Sequence, residues 1–144
     1  MPYEQEIPPY GDLVQPPEEV NELARVVIGI CLDVHRELGP GLPEEAYERA
    51  VAMEFDARGI RYRRQYRVVV CYKGKPATSV RLDFLIEEKL VLEVKSCAAI
   101  AAIDRKQVVR YLRITQTTPC LLMNFNVMLL REGIHRVFRS ELSP

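Results

Sequence analysis

Residues 80–96 read VRLDFLIEEKLVLEVKS, two apolar-rich segments separated by the short charged turn EEK. Both segments consist largely of residues that favour β-strands, so the stretch predicts a β-hairpin. If Ile86 pairs with Leu90 across the turn, counting back along both strands places Asp83 directly opposite Glu93. Directly opposed side chains have Cβ atoms about 4.5–5.5 Å apart, and two carboxylates at that distance repel each other unless a cation lies between them.

Successive side chains of a strand point to opposite faces of the sheet, so this hairpin divides its residues into two sets. Asp83, Glu93 and Lys95 are predicted to share one face. The other face of the first strand is predicted to hold Leu82, Phe84 and Ile86. Two carboxylates followed by a lysine suit a divalent cation and a phosphate. The alternative interpretation is that these charges form the solvated face of an antiparallel sheet.

Two further motifs flank the hairpin. Upstream, residues 41–47 read GLPEEAY and fit the pattern G-x-x-E-x-x-Y, in which Glu44 and Tyr47 occupy the defined positions. Downstream, Gln107 and Tyr111 lie four residues apart on a predicted helix and therefore share one face of it. The order of these motifs around the acidic hairpin resembles that of the GxxExxY proteins, a branch of the PD-(D/E)xK nuclease superfamily. The resemblance covers roughly residues 20–139.

The resemblance implies a restriction-endonuclease-like fold and metal-dependent hydrolysis of phosphodiester bonds in DNA or RNA. It makes Asp83 and Glu93 ligands of Mg²⁺ (or Mn²⁺), with Glu44 as a third ligand, since hard cations prefer carboxylate oxygens. Lys95 would orient or help deprotonate the attacking water and stabilise the charge that develops on the phosphate. Gln107 would contact a metal-site carboxylate, the water or the phosphate.

Each of these residues also has a structural interpretation. Glu44 is a favourable negative charge in the first turn of any helix. Gln107, in line with Ile100 and Ile103 on a predicted apolar face, could instead bond helix to sheet. Four residues are lower-ranked candidates for substrate contact: Tyr47, Tyr111, Arg105 and Arg110. The two tyrosines could equally be core residues.

The periodicity of apolar residues predicts helices over about 18–38 and from Pro43 to Gly59, with Gly39-Pro40-Gly41 between them. Strands are predicted near 65–73, 78–86, 89–96, 119–124 and 127–139, with a third helix over about 100–113. The order α-α-β-β-β-α-β-β predicts an α/β (α+β mixed) domain with a central mixed sheet flanked by helices. Residues 18–144 are expected to form this single domain, and the proline-rich residues 1–17 an extended arm.

The composition narrows the class of protein. The chain has 144 residues and a formal net charge of zero, and it contains no run of 18 apolar residues and no signal-peptide pattern. We therefore expect a cytoplasmic protein without a membrane segment. Four irregularly spaced cysteines without a C-x-x-C pair predict reduced core residues, not disulfides or zinc ligands: Cys31, Cys71, Cys97 and Cys120. Two histidines a hundred positions apart do not support a histidine-based zinc or triad mechanism.

The neutral total hides an uneven distribution of charge. Residues 1–60 contain 13 acidic and 4 basic side chains, whereas residues 61–144 contain 7 acidic and 16 basic ones. Two groups of cations stand out: Arg58, Arg61, Arg63, Arg64 and Arg67, and later Arg105, Lys106, Arg110 and Arg113. They indicate nucleic acid as a partner, or ion pairs with the acidic helices, either within one chain or across a homodimer. The alternative function is a non-catalytic interaction or oligomerisation module that retains the nuclease fold.

Overall fold

Three α-helices and five β-strands make up residues 12–140, the residues that this computed structural model describes. The elements are α1 (Glu18–Leu38), α2 (Glu44–Arg58), β1 (Tyr62–Tyr72), β2 (Lys75–Ile86), β3 (Leu90–Lys95), α3 (Ala102–Thr115), β4 (Cys120–Asn124) and β5 (Ile134–Val137). This order confirms the predicted one.

The strands form one mixed sheet in the order β1-β2-β3-β4-β5. Neighbouring strands are antiparallel except for β3 and β4, which run parallel. A parallel pair needs a crossover connection, and α3 supplies it. The predicted hairpin register is confirmed, because Ile86 pairs with Leu90 across the turn.

The helices cover both faces of the sheet and divide the core in two. Helices α1 and α2 pack on one face, where the largest buried side chains include Ile30, Phe55, Phe84, Leu92 and Phe125. Helix α3 packs on the other face over a smaller cluster. The amphipathic pattern of α1 is confirmed by its fully buried Ala24, Val27 and Ile30. The fold is thus the predicted mixed sheet between helical layers, consistent with a restriction-endonuclease-like architecture.

Glycine and proline set the limits of α2. The helix begins at Glu44, one residue later than predicted, and Pro43 immediately precedes it. The φ of Pro43, −64°, is already close to the helical value. Gly59 follows the last helical residue with a left-handed φ of 69°, and its N–H donates to carbonyls of the last turn.

Two predictions about individual segments are wrong. Residues 127–139 do not form one bent strand, because Leu130–Gly133 makes a 3-10 turn and only Ile134–Val137 pairs with β4. A Cβ atom at Gly133 would lie 2.0 Å from the Asn124 carbonyl oxygen, so this close approach requires glycine. Cys71 is exposed on β1 and is not a core residue.

The predicted arm falls largely outside the described residues, which exclude 1–11 and 141–144. Its last part pairs with the end of the domain: Leu13 forms an antiparallel bridge with Ser140, and the Val14 N–H donates to the Arg139 carbonyl at 2.8 Å. Among the helices within residues 12–140, none has the length and apolar character needed to cross a membrane.

Candidate functional site

Strands β1 and β2 both turn over at one point along their length, so that side chains two residues apart on one strand pack on different faces of the sheet. Tyr62 and Phe84 pack in the core under α1 and α2, whereas Tyr66 and Leu82 pack under α3. The cross-strand register is the same on both sides of this point. Between the two halves lies Gln65, whose positive φ of 53° is incompatible with an extended strand. The prediction that Leu82 shares a face with Phe84 is therefore wrong, because both strands turn over here.

Asp83 occupies this crossing point on β2 and faces Glu93 on β3. The regular pairing of the two strands runs as far as Phe84 with Leu92. At the next position, side chains replace the backbone as acceptors. The Asp83 N–H donates to Glu93 Oε1 at 2.8 Å, and the Val94 N–H donates to Asp83 Oδ2 at 2.8 Å. These two bonds fix both carboxylates in place and engage one oxygen of each.

Both carboxylates have raised pKa values. Glu93 is only 6% exposed, and burial, followed by the charge of Asp83, raises its pKa from 4.5 to about 8. Burial also raises the pKa of Asp83, against the bond from Val94, and the charges of Glu48 and Glu44 add to the rise. Two such groups cannot both ionise readily without compensation, so the pair retains a proton near neutral pH unless a cation takes its place.

Lys95 lies two residues after Glu93 on β3, within electrostatic range of both carboxylates. Burial raises the pKa of each carboxylate, and the positive charge of Lys95 lowers it in part. Its Nζ lies 4.0 Å from Asp104 Oδ1, and 28% of its side chain is exposed. Asp104 also accepts the Ala101 N–H at 2.9 Å at the start of α3. The ammonium group is thus located between the carboxylate pair and α3.

Helix α2 contributes two glutamates, one turn apart. Glu44 is exposed in the first turn, and its charge reaches Asp83 and also the Cys97 thiol, whose pKa is raised chiefly by burial. Glu48 is buried, and its Oε1 accepts hydrogen bonds from Arg64 Nε at 2.8 Å and Gln65 Nε2 at 2.6 Å.

Glu48 was not predicted as a site residue. The one signal for it in the sequence is its position four residues after Glu44, which places both on the same face of the helix. In the structure it holds the left-handed Gln65 beside Asp83, so it shapes the crossing point of β1 and β2.

Tyr47 has a structural position. Its ring is fully buried and stacks on Phe125 with ring centroids 4.6 Å apart. Its hydroxyl donates to the Gly39 carbonyl at 2.6 Å and accepts the Leu42 N–H at 3.1 Å. The predicted substrate contact is therefore replaced by a role in fixing the loop between α1 and α2.

The loop that follows Lys95 is fixed by residues that sequence reasoning did not identify. Asn124 Oδ1 accepts the Cys97 N–H at 3.2 Å, and Asn124 Nδ2 donates to the Cys97 carbonyl at 3.0 Å. Asn126 Nδ2 donates to the same carbonyl at 3.3 Å. Ser96 Oγ donates to the Leu42 carbonyl at 2.6 Å, which joins this loop to the one before α2.

Helix α3 brings one of its predicted residues close to the carboxylates. Tyr111 is 5% exposed, and burial, followed by the charges of Glu93 and Asp83, raises its pKa to about 12. Gln107 is exposed, and Ile103 is 70% exposed, so neither lies on the buried stripe. The buried stripe of α3 contains Val108 and Leu112. The side chains of the earlier turn lie to one side of this stripe.

The two arginines predicted on α3 differ in their surroundings. Arg105 is half-buried, and its Nη2 lies 3.0 Å from His135 Nδ1. Arg110 is exposed on the outer face of the helix.

The donors at the site fit a hard divalent cation. Within residues 12–140, no three acidic, histidine or cysteine side chains already converge as a metal-ligand set. Mg²⁺, however, retains several waters and is commonly held by only one or two carboxylates. The bonds to Asp83 Oδ2 and Glu93 Oε1 do not involve the second oxygen of either group. A buried and a half-buried carboxylate that repel each other are a chemically suitable pair of ligands.

Comparison with known proteins identifies the family. A model of the PD-(D/E)XK nuclease superfamily matches residues 21–137. No curated protein and no solved structure matches the chain. The GxxExxY branch is consistent with this match and stays a prediction. Because the match spans most of the chain, from α1 to β5, this protein belongs to the PD-(D/E)XK nuclease superfamily.

Proposed function

We propose that this protein is a metal-dependent nuclease that hydrolyses phosphodiester bonds of DNA or RNA at Asp83, Glu93 and Lys95. Membership of the superfamily supports a nuclease-type function, and such nucleases generally use divalent metal ions. The observation that carries the proposal is the pair formed by the half-buried Asp83 and the buried Glu93, held by the backbone of β2 and β3 with Lys95 two residues away from Glu93.

Asp83 and Glu93 would hold the cation, with Glu44 as a further ligand from α2. When bound, Mg²⁺ or Mn²⁺ polarises the scissile phosphate and lowers the pKa of a water that attacks phosphorus. The contribution of the protein is to orient the two carboxylates in advance. Each is fixed by a backbone N–H at 2.8 Å, so the two carboxylates would need little reorganisation to hold a cation.

Lys95 would act on the substrate. Its ammonium can donate to a non-bridging oxygen of the phosphate and stabilise the negative charge that grows there. The pair with Asp104, at 4.0 Å and partly exposed, is loose enough to be exchanged for a phosphate oxygen. Asp104 would then act as a positioning residue that keeps the ammonium close to the site.

Helix α3 would provide further contacts to the nucleic acid. Gln107 and Arg110 are exposed on it, and both are long enough to reach a phosphate of a strand lying across the site. Arg105 is more buried and would act closer to the sheet. Tyr111 would close the apolar side of the carboxylate pair, where exclusion of water strengthens electrostatic interactions.

The test is cleavage of a panel of single- and double-stranded DNA and RNA with Mg²⁺, with Mn²⁺ and with EDTA. The variants are Asp83→Ala and Lys95→Ala, and Lys89→Ala in the exposed turn serves as a control for loss of a lysine. We expect metal-dependent cleavage by the wild type and the control, and none by the two site variants. Cleavage that persists in both site variants would contradict the proposal. A folded wild type that cuts none of the substrates would favour the non-catalytic module.

A further inference from the structure

Two arginines face each other across the hairpin of β1 and β2. Arg67 pairs directly with Arg81 in the register of the two strands, and both side chains are exposed. Directly opposed residues of an antiparallel pair have Cα atoms only about 4.5–5.5 Å apart, and like charges at such positions are destabilising. An anion bound between the two guanidinium groups would relieve this repulsion.

The part of the protein that the structure describes does not supply such an anion. Within residues 12–140, neither Arg67 nor Arg81 has a carboxylate at ion-pair distance, and the only side-chain bond of the pair is a 3.4 Å contact from Arg67 Nη1 to Ser79 Oγ. The sequence from 65 to 82 contains no acidic residue.

Other arginines near the start of the sheet are neutralised internally. Each has a carboxylate partner: Arg58 with Asp33 and Glu54, Arg61 with Glu87, Arg63 with Glu88, and Arg64 with Glu48. The predicted ion pairs with the acidic helices are therefore confirmed for Arg58 and Arg64. Arg61 and Arg63 pair instead with the turn between β2 and β3, and Arg67 has no carboxylate partner within residues 12–140.

The pair also lies beside the proposed site. Its neighbours on the two strands, Tyr66, Val68, Val80 and Leu82, pack under α3. The charge of Arg81 reaches Tyr111 on α3, whose pKa it lowers against the larger raising effect of burial. Arg81 is two residues from Asp83, about 7 Å along the strand.

We propose that Arg67 and Arg81 together bind a backbone phosphate of the nucleic acid, one or two nucleotides from the bond that is cut. This inference rests on the proposed nuclease function. Guanidinium groups bind phosphate through paired hydrogen bonds, and two of them on one face can share a single phosphate. Their positive charge also offsets the repulsion between a phosphate and the acidic site. The contact reads the backbone and carries no sequence information.

The tip of the same hairpin is also cationic. Tyr72 is 68% exposed, and Lys73 lies over its ring at 5.5 Å from the centroid. Lys75 pairs with Tyr72 across the turn. An exposed aromatic ring among cations is typical of surfaces that bind nucleic acid, since it offers a stacking platform beside charges that track the backbone.

The test is binding of short fluorescein-labelled single-stranded DNA, duplex DNA and RNA, followed by anisotropy in EDTA over a series of salt concentrations. The variants are Arg67→Ala, Arg81→Ala, the double variant, and Arg67→Lys, which keeps the charge but loses the paired geometry. Arg36→Ala on α1, an exposed arginine paired with Asp33 at 3.0 Å, is the matched control.

We expect the double alanine variant to reduce the slope of log K against log salt by about one, because the two arginines share one phosphate, and each single alanine variant to reduce it by less. Arg67→Lys should retain most of the slope with weaker binding, and Arg36→Ala should match the wild type. Thermal unfolding should show no loss of stability in Arg67→Ala or Arg81→Ala, because each removes one member of a repulsive pair. A double variant that binds with the affinity and salt slope of the wild type would overturn the inference.

Cleavage assays on the same variants separate this inference from the proposed function. If the wild type cuts nucleic acid and the double variant binds and cuts equally well, only the phosphate site is overturned. If the wild type neither binds nor cuts any of the three substrates, the nuclease function fails and the phosphate site fails with it.

Discussion

Glu93→Gln should change the pH dependence of stability in the metal-free protein. The pKa of Glu93 is raised from 4.5 to about 8 because the carboxyl group is buried beside Asp83. The folded state therefore holds this proton more tightly than the unfolded state. The resulting stabilisation is complete below about pH 4.5 and is lost as the pH rises through about 8.

The size of the effect follows from the shift. Each pKa unit corresponds to about 1.4 kcal/mol, so a shift from 4.5 to about 8 gives at most on the order of 5 kcal/mol. Glutamine imitates the protonated acid. Its carbonyl oxygen can accept the Asp83 N–H, and its amide can donate to the Asp83 carboxylate. The variant should therefore keep at high pH the stability that the wild type loses.

The assay is urea unfolding in EDTA at several pH values between about 5 and 8.5, with midpoints compared between the two proteins. Glu45→Gln, an exposed neighbour on α2, controls for the loss of a surface carboxylate. We expect the stability of the wild type and the control to fall with rising pH, and that of Glu93→Gln to fall much less. The same pH dependence in all three would refute the buried-pair argument.

Three further substitutions distinguish chemistry from architecture. Lys95→Ala should lower kcat by about 100-fold or more with little change in unfolding midpoint, because the side chain is partly exposed and acts on the substrate; a large fall in stability would instead indicate a structural lysine. Glu48→Ala should destabilise the protein by about 1–3 kcal/mol, because it leaves the bonds of Arg64 and Gln65 without an acceptor; an unchanged urea midpoint would contradict this. Tyr47→Phe should cost about 1 kcal/mol and leave kcat nearly unchanged, because the hydroxyl fixes a loop; a kcat loss comparable to that of Lys95→Ala would place the hydroxyl in the reaction.

Much of the fold could be predicted from local patterns. The two amphipathic helices, the short charged turn and the alternation along β3 are each determined by neighbouring residues. The turn length alone gave the pairing of Ile86 with Leu90, and that register brought Asp83 next to Glu93.

The features that could not be predicted depend on tertiary contacts. Alternation assigned Leu82 to the wrong face, because nothing local indicates that Gln65 adopts a positive φ. That conformation is held by Glu48, which lies on a different element. Likewise, the role of Asn124 depends on the parallel alignment of β3 with β4, which places it opposite Lys95.

The rotation of α3 about its own axis could not be predicted from the sequence pattern either. Ile103 and Gln107 continue the spacing of Tyr111 along the helix, but the apolar residues of α3 that pack on the sheet lie in its later turns. Apolar periodicity predicts which face of a helix is buried. It does not show how much of that face packs against another element.

The most direct measurement is the calorimetric titration of Mn²⁺ into the wild type, Asp83→Ala and the Glu45→Gln control near pH 8, where a cation competes least with the shared proton. We expect binding to the wild type and the control, weakening of that binding as the pH falls toward 6, and its loss in Asp83→Ala. Equal Mn²⁺ binding by Asp83→Ala and the wild type would contradict the assignment of the Asp83–Glu93 pair as the metal site.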